Sequence, residues 1–332
     1  WDAEGARALQ RFAENWQLPV GCGFRFQDTF DNHHPLYAGD VGIAINPKLA
    51  ARVREADLVI ALGVRLGEMT TGGYTLIEAP RPKQTLVHIH AGAEELGRVY
   101  AADLLMQASV NHAAKALESL AAPTTVPWRA EADAAAADFA ANRVPPAVSP
   151  LDMAQVMLTV ERLVPENSVF TNGAGNYSGW LHRYVQYPGL QHHGRTQLAP
   201  TSGAMGYGVP AAIAASLLYP DRTVINLQAD GSGMYTVQSL WTQAREQLNV
   251  KTIICNNASY RILGIELMRT GVKEFGKQAQ SMIGLRNPPI DWVNISKGLG
   301  VPAVRVETAE DLAREFRRTL AEAGPQLIEA VL

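Results

Sequence analysis

Thr223–Ser259 reads TVINLQADGSGMYTVQSLWTQAREQLNVKTIICNNAS, and its reading decides the fold. Thr223 to Gln228 is a β-branched, apolar run of strand length. Ala229-Asp230-Gly231-Ser232-Gly233 is turn chemistry. Val237, Leu240, Trp241, Ala244 and Leu248 then recur at helical spacing on one face. Val250 to Cys255 is a second strand-length run, and it ends at Asn256-Asn257. A strand–helix–strand unit of this size gives two parallel strands joined by a right-handed crossover. Parallel strands end at the same edge of a sheet. Asp230 and Asn257 therefore share one carboxyl edge, where ligands of open α/β sheets bind. A carboxylate, an amide and nearby carbonyls are hard oxygen donors that suit Mg²⁺, which completes its octahedron with phosphate and water. The N–H groups of Gly231, Ser232 and Gly233 open a helix, where phosphate is favoured. These residues predict a Mg²⁺-bridged diphosphate. An ordinary buried unit of this topology would show the same periodicities.

Asp230-Gly231, 24 further residues and Asn256-Asn257 resemble the signature of thiamine diphosphate (ThDP) enzymes. The resemblance implies that Asp230, Asn257 and the Ser259 carbonyl hold Mg²⁺. Ala229 stands where the family usually has Gly, which requires a backbone conformation that tolerates a Cβ. The segment PTSGAMGYGVP (200–210) matches the family's SGAMGYG stretch, and Met205 precedes Asp230 by 25 positions, as in the acetolactate synthase pattern. By that match Met205 props the thiazolium ring and forces ThDP into a bent form. The Gly203 carbonyl then meets the 4′-amino group and the Met205 N–H a ring nitrogen, so Met205 and Gly203 are implied to be the catalytic positions. On residue chemistry alone Met205 reads equally well as a core filler.

Ser168 to Thr171 reads as a strand leading into Asn172-Gly-Ala-Gly175-Asn176-Tyr177-Ser178, a second Gly-rich strand-to-helix turn. The resemblance places Gly175, Asn176 and Tyr177 against the diphosphate, where acetolactate synthase typically has Gln and His after the glycine. Tyr260 to Met268 covers the thiazolium in relatives, which makes Tyr260, Ile262 and Leu263 pocket candidates. An amphipathic helix packed on the sheet would read the same way. The implied cofactor-binding set is completed by Gly231 and Ser232.

Further out, residues 3–15 read as a helix, Leu18 to Phe24 as a strand, Asp31 to Gly42 as loop and Pro47 to Ala56 as a helix. Asp57 to Gly63 and Thr85 to His90 read as buried strands, and Val110 to Leu120 as a helix. This alternation predicts a parallel sheet with helices on both faces. With HPLYAGDVG (34–42) and ADLVIALGVRLGE (56–68) it resembles the middle domain of acetolactate synthase and its relatives. Some members bind FAD or an ADP group there. His88 and His90 replace the acidic residues expected near the third strand, so FAD is not favoured, and the two read as a packed or solvated pair.

The fold expected is α/β, with two doubly wound parallel-sheet domains: residues 1–120 and 150–332. Residues 121–149 are the linker, with an Ala-rich helix over 129–143 stopped by Pro145, Pro146 and Pro150.

A hydrophobic fraction of 47% in 332 residues fills two cores, and a formal net charge of −3 gives no case for nucleic acid. No apolar run reaches the ~18 residues of a membrane helix. Cys22 and Cys255 lie in apolar runs, as reduced core thiols of a cytoplasmic protein do. GVKEFGK (271–277) mimics a phosphate loop, but Gln278 stands where Ser or Thr must bind Mg²⁺.

The resemblance implies a ThDP- and Mg²⁺-dependent 2-oxo acid enzyme that decarboxylates its substrate and ligates the product. It further implies a homodimer or homotetramer. The family's activating Glu lies in a pyrimidine-binding domain that no segment here resembles. The chain, starting at Trp1, is thus expected to be an inactive piece of a longer protein. Two alternatives stand: a decarboxylase or lyase of the benzoylformate decarboxylase kind, and a non-catalytic nucleotide-binding module.

Overall fold

A computed structural model describes residues 1–145 and 150–332. The expected stop at Pro146 lies outside the described residues. The chain forms two compact units. The first is Trp1–Val144 with Gln186–Thr196, and the second is Pro145–Val185 with Gln197–Leu332. The architecture is α/β and every strand pair between named strands is parallel.

The first unit carries β1 (Val20–Gly23) beside β2 (Tyr37–Val41), and a three-stranded sheet of β3 (Leu58–Leu62), β4 (Thr85–His90) and β5 (Leu104–Gln107). The strand at Tyr37–Val41 falls in a stretch read as loop. Gly39 sits at φ 119°, and the pairing with β1 shifts register between Val20 and Gly21, so no clean alternation marks it. The helix Arg129–Asn142 is more than a linker. Asp138 on it bonds Lys48 and Arg52 of the helix Pro47–Glu55 at 2.6 and 2.7 Å. The segment 186–196, expected within the second domain, also packs in the first unit. Tyr187 exchanges hydrogen bonds with Asn32, and Arg195 pairs with the fully buried Asp28 at 2.7 Å.

The second unit is a six-stranded sheet: β6 (Val169–Asn172), β7 (Gln197–Leu198), β8 (Val224–Ala229), β9 (Val250–Asn256), β10 (Ala303–Val306) and β11 (Gln326–Val331). The spatial order is β10-β11-β9-β8-β6-β7. Strands β8 and β9 are buried almost throughout, the polar Asn226, Gln228, Lys251 and Thr252 included, as strands covered on both faces are. One core cluster joins Val169, Val224 and Val250 to Ala212 and Ala215. Another joins Ile254 and Leu327 to Leu240 and Trp292. Each such side chain contributes roughly 1.5–3 kcal/mol on burial. Trp241, expected on the inward face, is 53% exposed. A 3₁₀ turn at Met234–Thr236 precedes the helix Ser239–Arg245. Val237, Leu240 and Ala244 keep the inward face, and Trp241, about 100° round from Leu240, falls outside it.

After β6 the chain moves outward to the edge strand β7, then returns so that β8 lies on the other side of β6. From β8 it continues to β9, away from β6. The connections leave β6 and β8 in opposite directions, and a crevice opens above their carboxyl ends.

Candidate active site

Two turns meet at that crevice. Asn172 at the end of β6 pairs with Leu227 of β8, so residues 173–176 and 230–233 emerge side by side. Gly175 has φ 143°, and a Cβ there would stand 2.8 Å from the Tyr177 ring and 3.2 Å from the Ala229 Cβ. The Ser232 hydroxyl donates to the Ala174 carbonyl at 2.8 Å and ties the turns together. Ala229 is extended, at φ −82° and ψ 151°, so its Cβ is accommodated. The Tyr177 hydroxyl lies 2.6 Å from the Leu227 carbonyl and 3.0 Å from that of Gly173. Its one proton is engaged with the backbone, so Tyr177 staples the turn. Asn176 opens the helix Tyr177–Tyr184 and makes no capping bond with its side chain.

Asp230 is 2% exposed. Its Oδ1 accepts from the Gly231 N–H at 2.9 Å, while Oδ2 has no hydrogen-bond partner among the described residues. Burial pushes this carboxyl above the usual range, against the opposing pull of the N–H groups of Gly231, Ala258 and Ser259. The loop after β9 thus faces the carboxylate, as the register Ala229 to Cys255 requires. Within that loop Asn257 Oδ1 accepts from the Ser259 N–H at 3.0 Å, and Ala258 takes φ 53°. The Leu285 N–H donates to the Ala258 carbonyl and the Tyr260 N–H to the Ile283 carbonyl, both at 2.9 Å. Ser259 and Gly284 are therefore a non-hydrogen-bonded antiparallel pair. The Ser259 carbonyl points away from residue 284, on the side where its N–H faces Asp230.

Gly203 and Gly206 hold φ 75° and 82°, and the Thr236 hydroxyl donates to the Gly206 carbonyl at 2.8 Å. Met205 is 43% exposed. Tyr260 lies over Gly231, where an added Cβ would come within 2.3 Å of its ring. Burial raises the Tyr260 phenol, with Tyr235 and Asp230 adding to the shift, so Tyr235 belongs to the same surroundings. Sequence reasoning passed over Tyr235. Ile262 and Leu263 are exposed on the helix Arg261–Arg269. The cavity of about 360 Å³ beside that helix is lined instead by Arg261, Ile265 and Met268, with Phe275, Ile283 and Arg286 opposite. Those helix positions form one stripe, and Ile262 and Leu263 lie on another.

In the first unit His88 is buried, with Nε2 3.0 Å from the Val64 carbonyl. Among the described residues no three His, Cys, Asp or Glu side chains converge as a metal centre. The Asn257 amide and the Ser259 carbonyl, the oxygens expected to join Asp230, lie on the loop whose Ala258 and Ser259 N–H groups face it.

Residues 173–330 match the C-terminal TPP binding domain of thiamine pyrophosphate enzymes, and residues 1–117 match their central domain. The chain belongs to the thiamine pyrophosphate enzymes. The residues matched to that TPP binding domain include both turns at the crevice above β6 and β8. The IlvX protein of Mycobacterium tuberculosis, named for an acetolactate synthase large subunit, is 48% identical over 136 residues, 41% of this chain and 26% of that protein. The acetolactate synthase large subunit of Parasynechococcus marenigrum is 26% identical over 97% of this chain and 51% of its own length. A solved ThDP-dependent 4-hydroxybenzoylformate decarboxylase of Rhodococcus jostii superposes with a TM-score of 0.77 at 25% identity, covering 99% of this chain and 59% of that one. The chain spans about half the length of the acetolactate synthases it matches from end to end. No helix among the described residues is long and apolar enough to cross a membrane.

Proposed function

We propose that this chain carries the Mg²⁺–diphosphate half of the active site of an acetolactate synthase-like, ThDP-dependent 2-oxo acid enzyme. The observation that carries the reading is the buried Asp230 Oδ2, left without a partner and faced by the Asn257–Ser259 loop. A buried carboxylate oxygen with no donor calls for a cation. Asp230, Asn257 and the Ser259 carbonyl would hold Mg²⁺, and the N–H groups of Gly231 and Ser232 would meet the phosphates beside Gly175 and Asn176. The Gly203 carbonyl and the Met205 N–H would clamp the pyrimidine, with the Met205 side chain under the thiazolium and Tyr260 beside it. ThDP, when bound, supplies the nucleophilic carbon and the electron sink for decarboxylating a 2-oxo acid and passing the acyl unit to a second carbonyl.

In this reading the activating carboxylate comes from residues outside this sequence, so the 332 residues bind the cofactor without turning over substrate. Met205, Tyr207 and Tyr235 leave an exposed apolar surface at the site, which suits cover by a second subunit of a homodimer or homotetramer. A cytoplasmic setting accords with Cys22 and Cys255, both buried and both free.

Calorimetry tests the metal link. ThDP is expected to bind in the presence of Mg²⁺ and to lose that binding when EDTA removes the metal. Equal heats with and without Mg²⁺ would overturn the site, and heat from ADP or FAD alone would favour a nucleotide-binding module. The decarboxylase neighbour favours a second reading, a benzoylformate decarboxylase-like enzyme without ligation. Substrate profiling of the full-length enzyme separates the two. Acetolactate from pyruvate supports the synthase, and aldehyde alone supports the decarboxylase.

A further inference from the structure

Asn256 ends β9, one position before Asn257. Its Nδ2 donates to Glu329 Oε1 at 2.6 Å, and its Oδ1 accepts from the Ala258 N–H at 2.9 Å. Only one orientation of the amide serves both neighbours, because a carboxylate only accepts and a backbone N–H only donates. Glu329 is fully buried on β11, the strand between β10 and β9. Its second oxygen, Oε2, accepts from Arg305 Nε at 3.0 Å, and the register sets Arg305 directly opposite Glu329. A chain of polar contacts thus crosses three strands and ends on the Ala258 N–H. Ala258 is the residue that must turn left-handed, at φ 53°, between Asn257 and Ser259. A residue with a Cβ disfavours that conformation, so something must hold it.

We propose that Glu329 is a positioning residue for the cation site. By fixing the Asn256 amide it holds the Ala258 turn, and the turn presents the Asn257 side chain and the Ser259 carbonyl to Asp230. The inference rests on the Mg²⁺ reading above. Glu329 is buried and Arg305 half exposed, and such a pair is by itself weak evidence for stability, since desolvation of the carboxylate offsets the attraction. The directed amide gives this pair a different task.

Glu329→Gln separates the two roles. The new side chain has one acceptor where the old one had two. Arg305 claims the acceptor, so the new amide N–H₂ faces Asn256 Nδ2. The Asn256 amide then turns over, and its Oδ1 leaves the Ala258 N–H. Adding Arg305→Met frees the acceptor to return to Asn256. Hydrogen exchange of residues 257–260 is read on the ligand-free protein, and Mg²⁺ affinity is read by calorimetry at saturating ThDP. Glu329→Gln is expected to speed exchange at Ala258 and to weaken Mg²⁺ by about 10–100-fold, the usual effect of losing a group that orients a metal ligand. The double variant should recover most of both losses. Asn256→Ala, which leaves the Arg305–Glu329 pair in place, should lose Mg²⁺ affinity to the same degree and provides the test if Glu329→Gln fails to fold. Unchanged exchange and affinity in Glu329→Gln, or in Asn256→Ala, overturn the proposal, as does a double variant no better than the single. A wild type that takes up no Mg²⁺ sinks the parent reading and this inference with it.

Discussion

Asp230→Asn is expected to make the ligand-free protein more stable while removing its response to Mg²⁺ and ThDP. The substitution keeps an oxygen for the Gly231 N–H. It replaces a buried carboxylate oxygen that completes no hydrogen bond among the described residues, though the N–H groups of Ala258 and Ser259 face it, with part of a neutral amide. Burying an unsatisfied polar group costs about 1–3 kcal/mol, and a charged one more. The variant should therefore gain on the order of 1–3 kcal/mol without ligand, with about 2–4 °C in Tm for each kcal/mol in a unit of this size. Burial raises the folded Asp230 carboxyl above its unfolded value of about 3.9. Between those two values the folded chain holds the extra proton, so the wild type loses stability as pH rises through that window. The variant has no such group. Its advantage should be small at and below about pH 4, where both states hold the proton, and should grow as pH rises through the raised folded value. With Mg²⁺ and ThDP at about 1,000 times their Kd the order reverses, because the wild type gains about 4.1 kcal/mol and the variant nothing. Thermal melts at several pH values, with and without ligand, check both halves. A ligand-free variant less stable than the wild type at pH 7 would mean that Asp230 is held by the fold and not kept for a cation.

The fold and the two ends of the site were legible for one reason: parallel strands put Asp230 and Asn257 at the same edge, and the apolar runs before them are unambiguous. What lay beyond reach depended on distance along the chain or on phase. Glu329 meets Asn256 across 73 positions and Asp28 meets Arg195 across 167. A charge in the middle of the apolar strand QLIEAV (326–331) was the one local hint that Glu329 has a partner. Trp241 was misplaced because the buried stripe is narrow: it takes Val237, Leu240 and Ala244 and leaves out the residue next to Leu240, and spacing alone does not give a stripe's width. The strand Tyr37–Val41 was hidden by its own glycine and by the turn residues before it. Met205 shows the reverse case. Residue chemistry left it ambiguous, the resemblance gave it a task, and in this chain it is 43% exposed.

Gly208→Ala is expected to be the most damaging small change at the crevice. The added Cβ would stand 1.9 Å from Gln228 Nε2, 2.7 Å from the Gly173 nitrogen and 2.8 Å from the Asn172 carbonyl carbon. The glutamine could swing aside, but the other two atoms are backbone at the end of β6. Either the helix Gly208–Leu218 withdraws from that strand or the Gly173 turn moves. The helix brings Val209 to one core cluster and Ala212 and Ala215 to another, so withdrawal loosens both. Overpacking costs about 1–3 kcal/mol and sometimes more. The rigid backbone neighbours put this case at the upper end, beyond the ~1 kcal/mol that Ala gains over Gly in a helix. The control is Gly298→Ala in the helix Trp292–Gly298, where nothing lies within 4 Å of the new Cβ. There the variant should gain roughly 0.4–1 kcal/mol. Urea unfolding of both variants measures the contrast, and ThDP calorimetry on the folded fraction of Gly208→Ala extends it. The Gly203–Tyr207 loop enters the helix at the point of the clash, so cofactor affinity should fall together with stability. If Gly208→Ala matched Gly298→Ala in stability, the helix start would tolerate separation from the Gly173 turn. The loop and the two strand-end turns would then move independently, and they could not form one rigid cradle for a diphosphate.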